Sequence, residues 1–185
     1  NGLNEEQIEA VKLAITERLS MIIGGAGVGK TTVIKTVLYA LDEYGREAHL
    51  MALAGRAARR MEEASGRKAS TMSSFINGIY QRRIKIGQNA VVIVDEGSMV
   101  GLSDYYRLLK CLKKDTTLIM VGDDHQLPPV SFGEVFGVLA KSKEVKKVEL
   151  TQVYRSAAKT GIPSTSSAIR KSRATSFKNY NCTAE

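Results

Sequence analysis

Short apolar runs alternate with amphipathic stretches from one end of the chain to the other. Across 3–19, Ile8, Val11, Ile15 and Leu19 recur at helical spacing, with Asn4 placed to cap the first turn and Gln7 at the capping-box position. Residues 21–23 form a short apolar strand that runs into a glycine-rich turn, and a helical pattern resumes over 32–41. A second strand follows at 49–53, then helices at 55–64 and 72–80. The run Val91-Val92-Ile93-Val94 is β-branched and wholly apolar, the pattern of a strand covered on both faces. Beyond it the periodicity predicts a helix over 104–112, a strand over 117–121, a short helix over 135–140 and a last strand over 145–150. Strands that alternate with helices in this way build an α/β fold, a mostly parallel sheet flanked by helices on both faces. No internal repeat is present, and beyond Ser164 the chain turns rich in Ser, Thr and Lys, a composition that buries little.

Composition narrows this picture to one soluble domain. At 185 residues, 43% hydrophobic and 25% charged, the chain fills one core and not two ordinary ones. Its longest apolar runs are strand-length, and its first residues carry no basic-then-apolar leader, so no membrane span and a cytoplasmic location are expected. Cys111 and Cys182 stand far apart without a pairing motif, as in a reducing compartment. Charge adds a partner. The net charge is +8; residues 46–85 hold nine Lys/Arg against three acids, 156–185 hold five against one, and the rest of the chain is slightly acidic. Positive charge clustered in this way points to a polyanion, nucleic acid first of all.

The chemistry begins at Gly24-Gly25-Ala26-Gly27-Val28-Gly29-Lys30-Thr31, which fits G-x-x-x-x-G-K-[ST] at every fixed position and lies between a strand and a helix. Glycines let the backbone wrap phosphate oxygens with its N–H groups inward, and the following helix N-terminus, where Thr32 sits, adds a favourable dipole. Lys30 is expected to reach the β- and γ-phosphates of a nucleotide such as ATP, and the Thr31 hydroxyl to bind Mg2+. Downstream, Asp95 and Glu96 end the apolar strand at 91–94: Asp95 suits a second magnesium contact, and Glu96 is placed to polarise a water attacking the γ-phosphate. A glutamate directly after the aspartate favours hydrolysis over transfer to a small acceptor. A third strand leads into Gly122-Asp123-Asp124-His125-Gln126-Leu127-Pro128-Pro129-Val130, where Gln126 can contact the γ-phosphate and His125 reads equally as a turn residue. Arg155, just past the last strand, is a candidate for stabilising charge on the transferring phosphoryl.

Together these segments resemble superfamily 1 DNA helicases, and within them the RecD-like branch that includes conjugative relaxase helicases. The match runs in order from Leu3 to about Arg170. It implies a P-loop NTPase of RecA-like fold that uses ATP and Mg2+ and acts on single-stranded DNA, 5′ to 3′. On this resemblance Leu3-Asn4-Glu5-Glu6-Gln7 is a Q motif in which Gln7 reads adenine, although its capping position also suits the helix. The segment 150–155 is similar to the family's fourth motif, with Arg155 as its phosphate-contacting arginine. Residues 1–163 are then the ATPase domain and 164–185 a basic start of the linker to a second RecA-like domain, whose motifs are absent from this sequence. A fragment of this kind is not expected to unwind DNA alone and is expected to be weak or inactive as an ATPase, and a nuclease or relaxase is the expected further partner.

Departures from the family pattern fall on the DNA side. Its usual Pro-Thr-Gly-Lys/Arg-Ala-Ala is here Leu53-Ala54-Gly55-Arg56-Ala57-Ala58, its Thr-x-His is Thr71-Met72-Ser73, and glycine stands at Gly97 where alanine is usual. Gly55, Arg56, Arg59, Arg60, Thr71 and Ser73 are the expected contacts to the strand. The duplex-splitting pin of related helicases has only 77–90 to occupy, with Tyr80, Arg82, Arg83 and Lys85 as its contacts. Two other classes stay open on the sequence: a small-molecule P-loop kinase, and a non-enzymatic nucleotide-gated nucleic-acid-binding module.

Overall fold

The computed structural model describes residues 2–126 and 128–153. The chain runs α1 (Glu5–Thr16), β1 (Leu19–Gly24), α2 (Lys30–Glu43), β2 (Ala48–Ala52), α3 (Gly55–Ser65), β3 (Ala69–Thr71), α4 (Met72–Tyr80), β4 (Val91–Asp95), a 3-10 turn (Gly97–Met99), α5 (Leu102–Cys111), β5 (Thr117–Gly122), α6 (Val135–Lys141) and β6 (Lys146–Leu150). The strands form one sheet in the order β3-β2-β4-β5-β1-β6, and every pairing in it is parallel.

Side-chain alternation along the strands sorts the core into two layers. Ile22, Leu50, Val91, Ile93, Ile119 and Val121 face α1, α2 and α3, whereas Met21, Met51, Val92, Val94, Leu118 and Met120 face α4, α5 and α6. Every residue of 91–94 is buried, which is why this strand carries no polar alternation and reads as a continuous apolar run.

Helix α1 starts where the capping box places it. The Asn4 side chain accepts from the Gln7 N–H at 2.7 Å, and the Gln7 side chain accepts from the Asn4 N–H at 3.2 Å. It ends sooner than the apolar spacing predicts. The Glu17 N–H closes on the Leu13 carbonyl in an extended conformation, so Leu19 opens β1 and the buried face is Gln7, Ala10, Val11 and Ala14, with Ile8 left exposed. The short, half-buried edge strand β3 has no apolar run to announce it.

The stretch expected to hold a short pin does not form one. Residues 77–80 are the last turn of α4, and no strand lies between α4 and β4. The chain hooks back instead: Arg83 and Ile84 donate their N–H groups to the Gly78 carbonyl, and the Ile84 side chain lies where a Cβ on Gly78 would be. Ile86 is then buried and the Gly87 N–H is held by Glu47 at 3.0 Å. The domain boundary expected at 163/164 lies outside the described residues.

Candidate nucleotide site and nucleic-acid surface

The loop between β1 and α2 has the form a phosphate requires. Gly27 and Gly29 take φ of 80° and 90°, left-handed values that suit glycine. A Cβ on Gly24 would stand 2.7 Å from Val28 and 3.0 Å from the Leu150 carbonyl, so β1 and β6 meet here only because Gly24 lacks one. Lys30 begins α2, and its ammonium donates to the Gly24 and Gly25 carbonyls, each at 2.7 Å. The charge is thereby held across the loop, where phosphate oxygens would find it together with the first N–H groups of α2, near Ala26, Thr31 and Thr32.

Strand β4 brings its acids to the same place, although β5 separates it from β1 in the sheet. Thr31, Arg60, Asp95 and Glu96 line one cavity of about 130 Å³, closed behind by Ile34, Ala57 and Met61; it has room for an ion with several waters. Burial pushes the Asp95 carboxyl above its ordinary value, against the Glu96 N–H and Lys30, which pull it down. Burial and the neighbouring Asp95 charge likewise raise Glu96, while Arg60 and Lys30 oppose them. Two adjacent carboxyls so placed gain from a cation. Among the described residues no group of three or more His, Cys, Asp or Glu converges. The donor set of one hydroxyl and one carboxylate in one cavity fits magnesium, which keeps water and phosphate oxygens as its other ligands.

Glu96 takes a left-handed backbone, φ 54° and ψ 32°, and the 3-10 turn follows at once. That turn delivers a contact the motif reading missed. The Ser98 hydroxyl lies 3.5 Å from the Gln126 side-chain oxygen and accepts from the Asp123 N–H at 3.4 Å. Ser98 and Asp123 are buried, and the Asp123 carboxylate accepts from the His125 N–H at 3.1 Å, which makes His125 part of a turn. The turn that follows the strand-end acids is thus tied to Gln126 and the Asp123 amide through one serine, a residue type with no chemical signature of its own.

A second unforeseen link joins the two ends of the described chain. The Glu6 carboxylate accepts from the Thr151 N–H at 2.7 Å, the Thr151 hydroxyl at 2.5 Å and the Gln152 N–H at 3.4 Å; Asn4 adds a bond to the Gln152 side chain at 2.9 Å. The expected Q motif is therefore clamped to the segment that leads on from β6. Gln7 is buried and makes the capping bond. Arg155 lies outside the described residues.

The expected nucleic-acid contacts divide into three groups. Gly55 and Arg56 open α3, and Thr71 and Ser73 open α4, so they share the edge of the sheet at the C-terminal ends of β2 and β3. Thr71 is the N-cap of α4, its hydroxyl accepting from the Ser74 N–H at 3.1 Å; Ala54, where the family has threonine, leaves α3 without a side-chain cap. Tyr80, Arg82, Arg83 and Lys85 are exposed at the other end of α4, nine residues and about 13 Å away, at the edge where β4 begins. The six cations expected on the strand, Arg56, Arg59, Arg60, Arg82, Arg83 and Lys85, therefore do not form one continuous track along the C-terminal edge. Arg59 is exposed on α3, whereas Arg60 lines the cavity with Thr31, Asp95 and Glu96.

An AAA domain family model matches residues 2–183. The chain is 37% identical over 165 residues to the ATP-dependent RecD2 DNA helicase of Deinococcus radiodurans, a match covering 87% of this chain and 23% of that protein. It is 35% identical over 162 residues to the RecBCD enzyme subunit RecD of Haemophilus influenzae, covering 71% of this chain and 25% of the relative. The fold is similar to that of Bacteroides Pif1 bound to single-stranded DNA, with a TM-score of 0.65 at 22% identity over 95% of this chain and 47% of the other. The chain spans about a quarter of the length of these two curated relatives, and no helix among the described residues is long and apolar enough to cross a membrane. With its P-loop, its acid-tipped fourth strand and these matches, the chain belongs to the AAA domain family, in the RecD-like branch of superfamily 1 helicases.

Proposed function

We propose that this chain is the ATP-hydrolysing motor domain of a cytoplasmic DNA helicase that moves on single-stranded DNA, 5′ to 3′. Residues 1–163 form the domain and 164–185 lead to a second RecA-like domain in the same protein, with a nuclease or relaxase as the further partner. One observation carries the reading: Lys30 held across the phosphate loop, with Thr31, Asp95 and Glu96 in one cavity. Lys30 binds the β- and γ-phosphates, the loop glycines supply N–H donors and Gln7 reads the adenine. Thr31 and Asp95 hold magnesium, which when bound neutralises phosphate charge. Glu96 takes the proton of the attacking water, Arg155 is the residue assigned to stabilising charge on the transferring phosphoryl, and Gln126 senses its loss. The strand of DNA lies across the uncapped start of α3 and the start of α4, where helix N-termini and Arg56 meet its phosphates.

Steady-state ATP hydrolysis with single-stranded DNA, and with nucleosides as acceptors, tests the proposal. DNA should stimulate release of phosphate and no nucleoside should be phosphorylated; a phosphorylated nucleoside would move the chain to the kinases. Lys30→Ala should lose nucleotide binding and turnover together. Glu96→Gln should keep Mg-ATP while turnover falls about 10²–10⁴-fold, and Asp95→Ala should remove the magnesium dependence of binding. Hydrolysis left intact by Lys30→Ala would end the assignment.

A further inference from the structure

Helix α3 presents two different faces. Arg56, Arg59 and Glu63 follow at i, i+3 and i+7 and are exposed, while Ala57, Met61 and Ser65 follow at i, i+4 and i+8 and line the cavity below the phosphate loop. Arg60 stands beside the second set. Its side chain lines that cavity together with Thr31, Asp95 and Glu96, and an arginine whose stem lies along a helix can deliver a charge there while remaining partly in water. We propose that Arg60 is a positioning residue of the ATP site, holding the Glu96 carboxylate where it meets the attacking water, and not a contact to DNA.

The charges around Glu96 support this assignment. Asp95 precedes it at the end of β4, and Arg60 of α3 lines the same cavity as both acids, which Lys30 does not. Lys30 is committed to the Gly24 and Gly25 carbonyls and, on the reading above, to the phosphates of a bound nucleotide. Arg60 is then the one cationic side chain that lines the cavity with Glu96, beside the magnesium that Thr31 and Asp95 would hold. Arginine suits the task, since it stays charged and offers a planar fork of donors to a carboxylate. The left-handed backbone of Glu96 sets where its side chain starts, and Arg60, on a separate helix, lines the same cavity. Arg56 and Arg59 do not line the cavity, so the inference applies to Arg60 alone.

The inference rests on the ATP-hydrolysing reading, and the test separates the two. In the parent protein that carries both RecA-like domains, Arg60→Ala, Arg60→Lys and Arg56→Ala are compared with the unaltered sequence in four measurements: kcat and KM for ATP, affinity for ATP against ADP–aluminium fluoride with magnesium, the salt dependence of binding to a labelled single strand, and thermal melting. Arg60→Ala should lower kcat by about tenfold or more, within the range of a general base, with KM changed by less than about twofold. It should weaken ADP–aluminium fluoride selectively. Arg60→Lys should recover most of both losses, and melting and salt slope should stay those of the unaltered chain. A normal kcat with a salt slope lowered by roughly 0.7, as for a lost phosphate contact, would return Arg60 to the DNA track. Failure of lysine to rescue, together with a lowered melting temperature, would make it structural. A parent protein with both RecA-like domains that neither hydrolyses ATP nor prefers ADP–aluminium fluoride to ADP would refute the ATPase reading itself, and this inference with it.

Discussion

Glu96 sits at φ 54°, a backbone that costs a side-chain-bearing residue of order 1–3 kcal/mol and persists only where its surroundings impose it. The next residue shows how they do. The Gly97 carbonyl accepts from the buried Tyr105 hydroxyl at 3.0 Å, and a Cβ on Gly97 would stand 2.8 Å from that oxygen, 3.2 Å from Phe136 and 3.3 Å from the Val121 carbonyl. Glycine, where the related motif usually has alanine, is therefore matched to Tyr105 and Phe136 in this chain. Gly97→Ala should destabilise by about 1–3 kcal/mol, as overpacking does, and should lower turnover because Glu96 is attached to the displaced turn. In a Tyr105→Phe background the closest of the three contacts is gone, so the same change should cost less by about 0.5 kcal/mol or more. Urea unfolding of the four proteins measures the coupling, and simple additivity would refute the matching of Gly97 to the Tyr105 hydroxyl. At this scale the sequence was legible where residue type and spacing carry the chemistry, as at Lys30, Thr31, Asp95 and Glu96. It was silent on Ser98 and Glu6, whose roles come from what the fold sets opposite them across 28 and 145 residues.

Among the elements, α4 is legible to the residue because Met72, Phe75 and Ile76 bury one face and Thr71 caps its start. Leu19 misleads because it continues the helical spacing of Ile8, Val11 and Ile15 by coincidence, while β1 claims it for the sheet. The departure in α3 has a physical consequence. Ala54 holds the extended conformation of an N-cap, φ −101° and ψ 147°, yet has no oxygen to accept from the first turn. Ala54→Thr should therefore stabilise the chain by about 0.5–2 kcal/mol, read as a higher urea midpoint with an unchanged slope. No gain would mean that the first N–H groups of α3 are already satisfied. The split between the two ends of α4 is tested in the same region. On the reading that DNA follows the C-terminal edge, Arg56→Ala should lower the salt slope of single-strand binding by roughly 0.7, and Arg83→Ala should leave it unchanged. Equal losses from both would restore the continuous track that the charge pattern suggests.

For the molecule as a whole, the parallel sheet gathers the phosphate loop, the acids of β4, Gln126 and the starts of α3 and α4 at one edge, where parallel strands place their ligand sites. The α/β alternation makes that gathering readable from sequence, because every crossover returns the chain to the same edge. What periodicity does not reveal is how the ends of the chain are joined, and here Glu6 decides. Its carboxylate takes three donors from Thr151 and Gln152, which join the start of α1 to the exit of β6 and the segment where Arg155 follows. The Thr151 hydroxyl bond is the largest influence that holds the Glu6 pKa below its ordinary value, and burial opposes it. A folded pKa depressed in this way adds stability that is present above the unfolded value, near 4.5, and lost as pH falls through the folded one. Between neutral pH and about 5 the clamp should hold; further acidification should release it before the sheet unfolds, since the carboxylates of β4 titrate upward instead. Amide hydrogen exchange gives the readout: at pH 7, Glu6→Gln should lower protection at Thr151 and Gln152 by about tenfold, the effect of one charge-assisted hydrogen bond, while the amides of β1 and β4 stay protected. In the unaltered chain the same two amides should lose protection, after correction for the intrinsic rate, only below pH 4.5. Protection at Thr151 that ignores both the substitution and the acid would show that β6 holds its exit without Glu6.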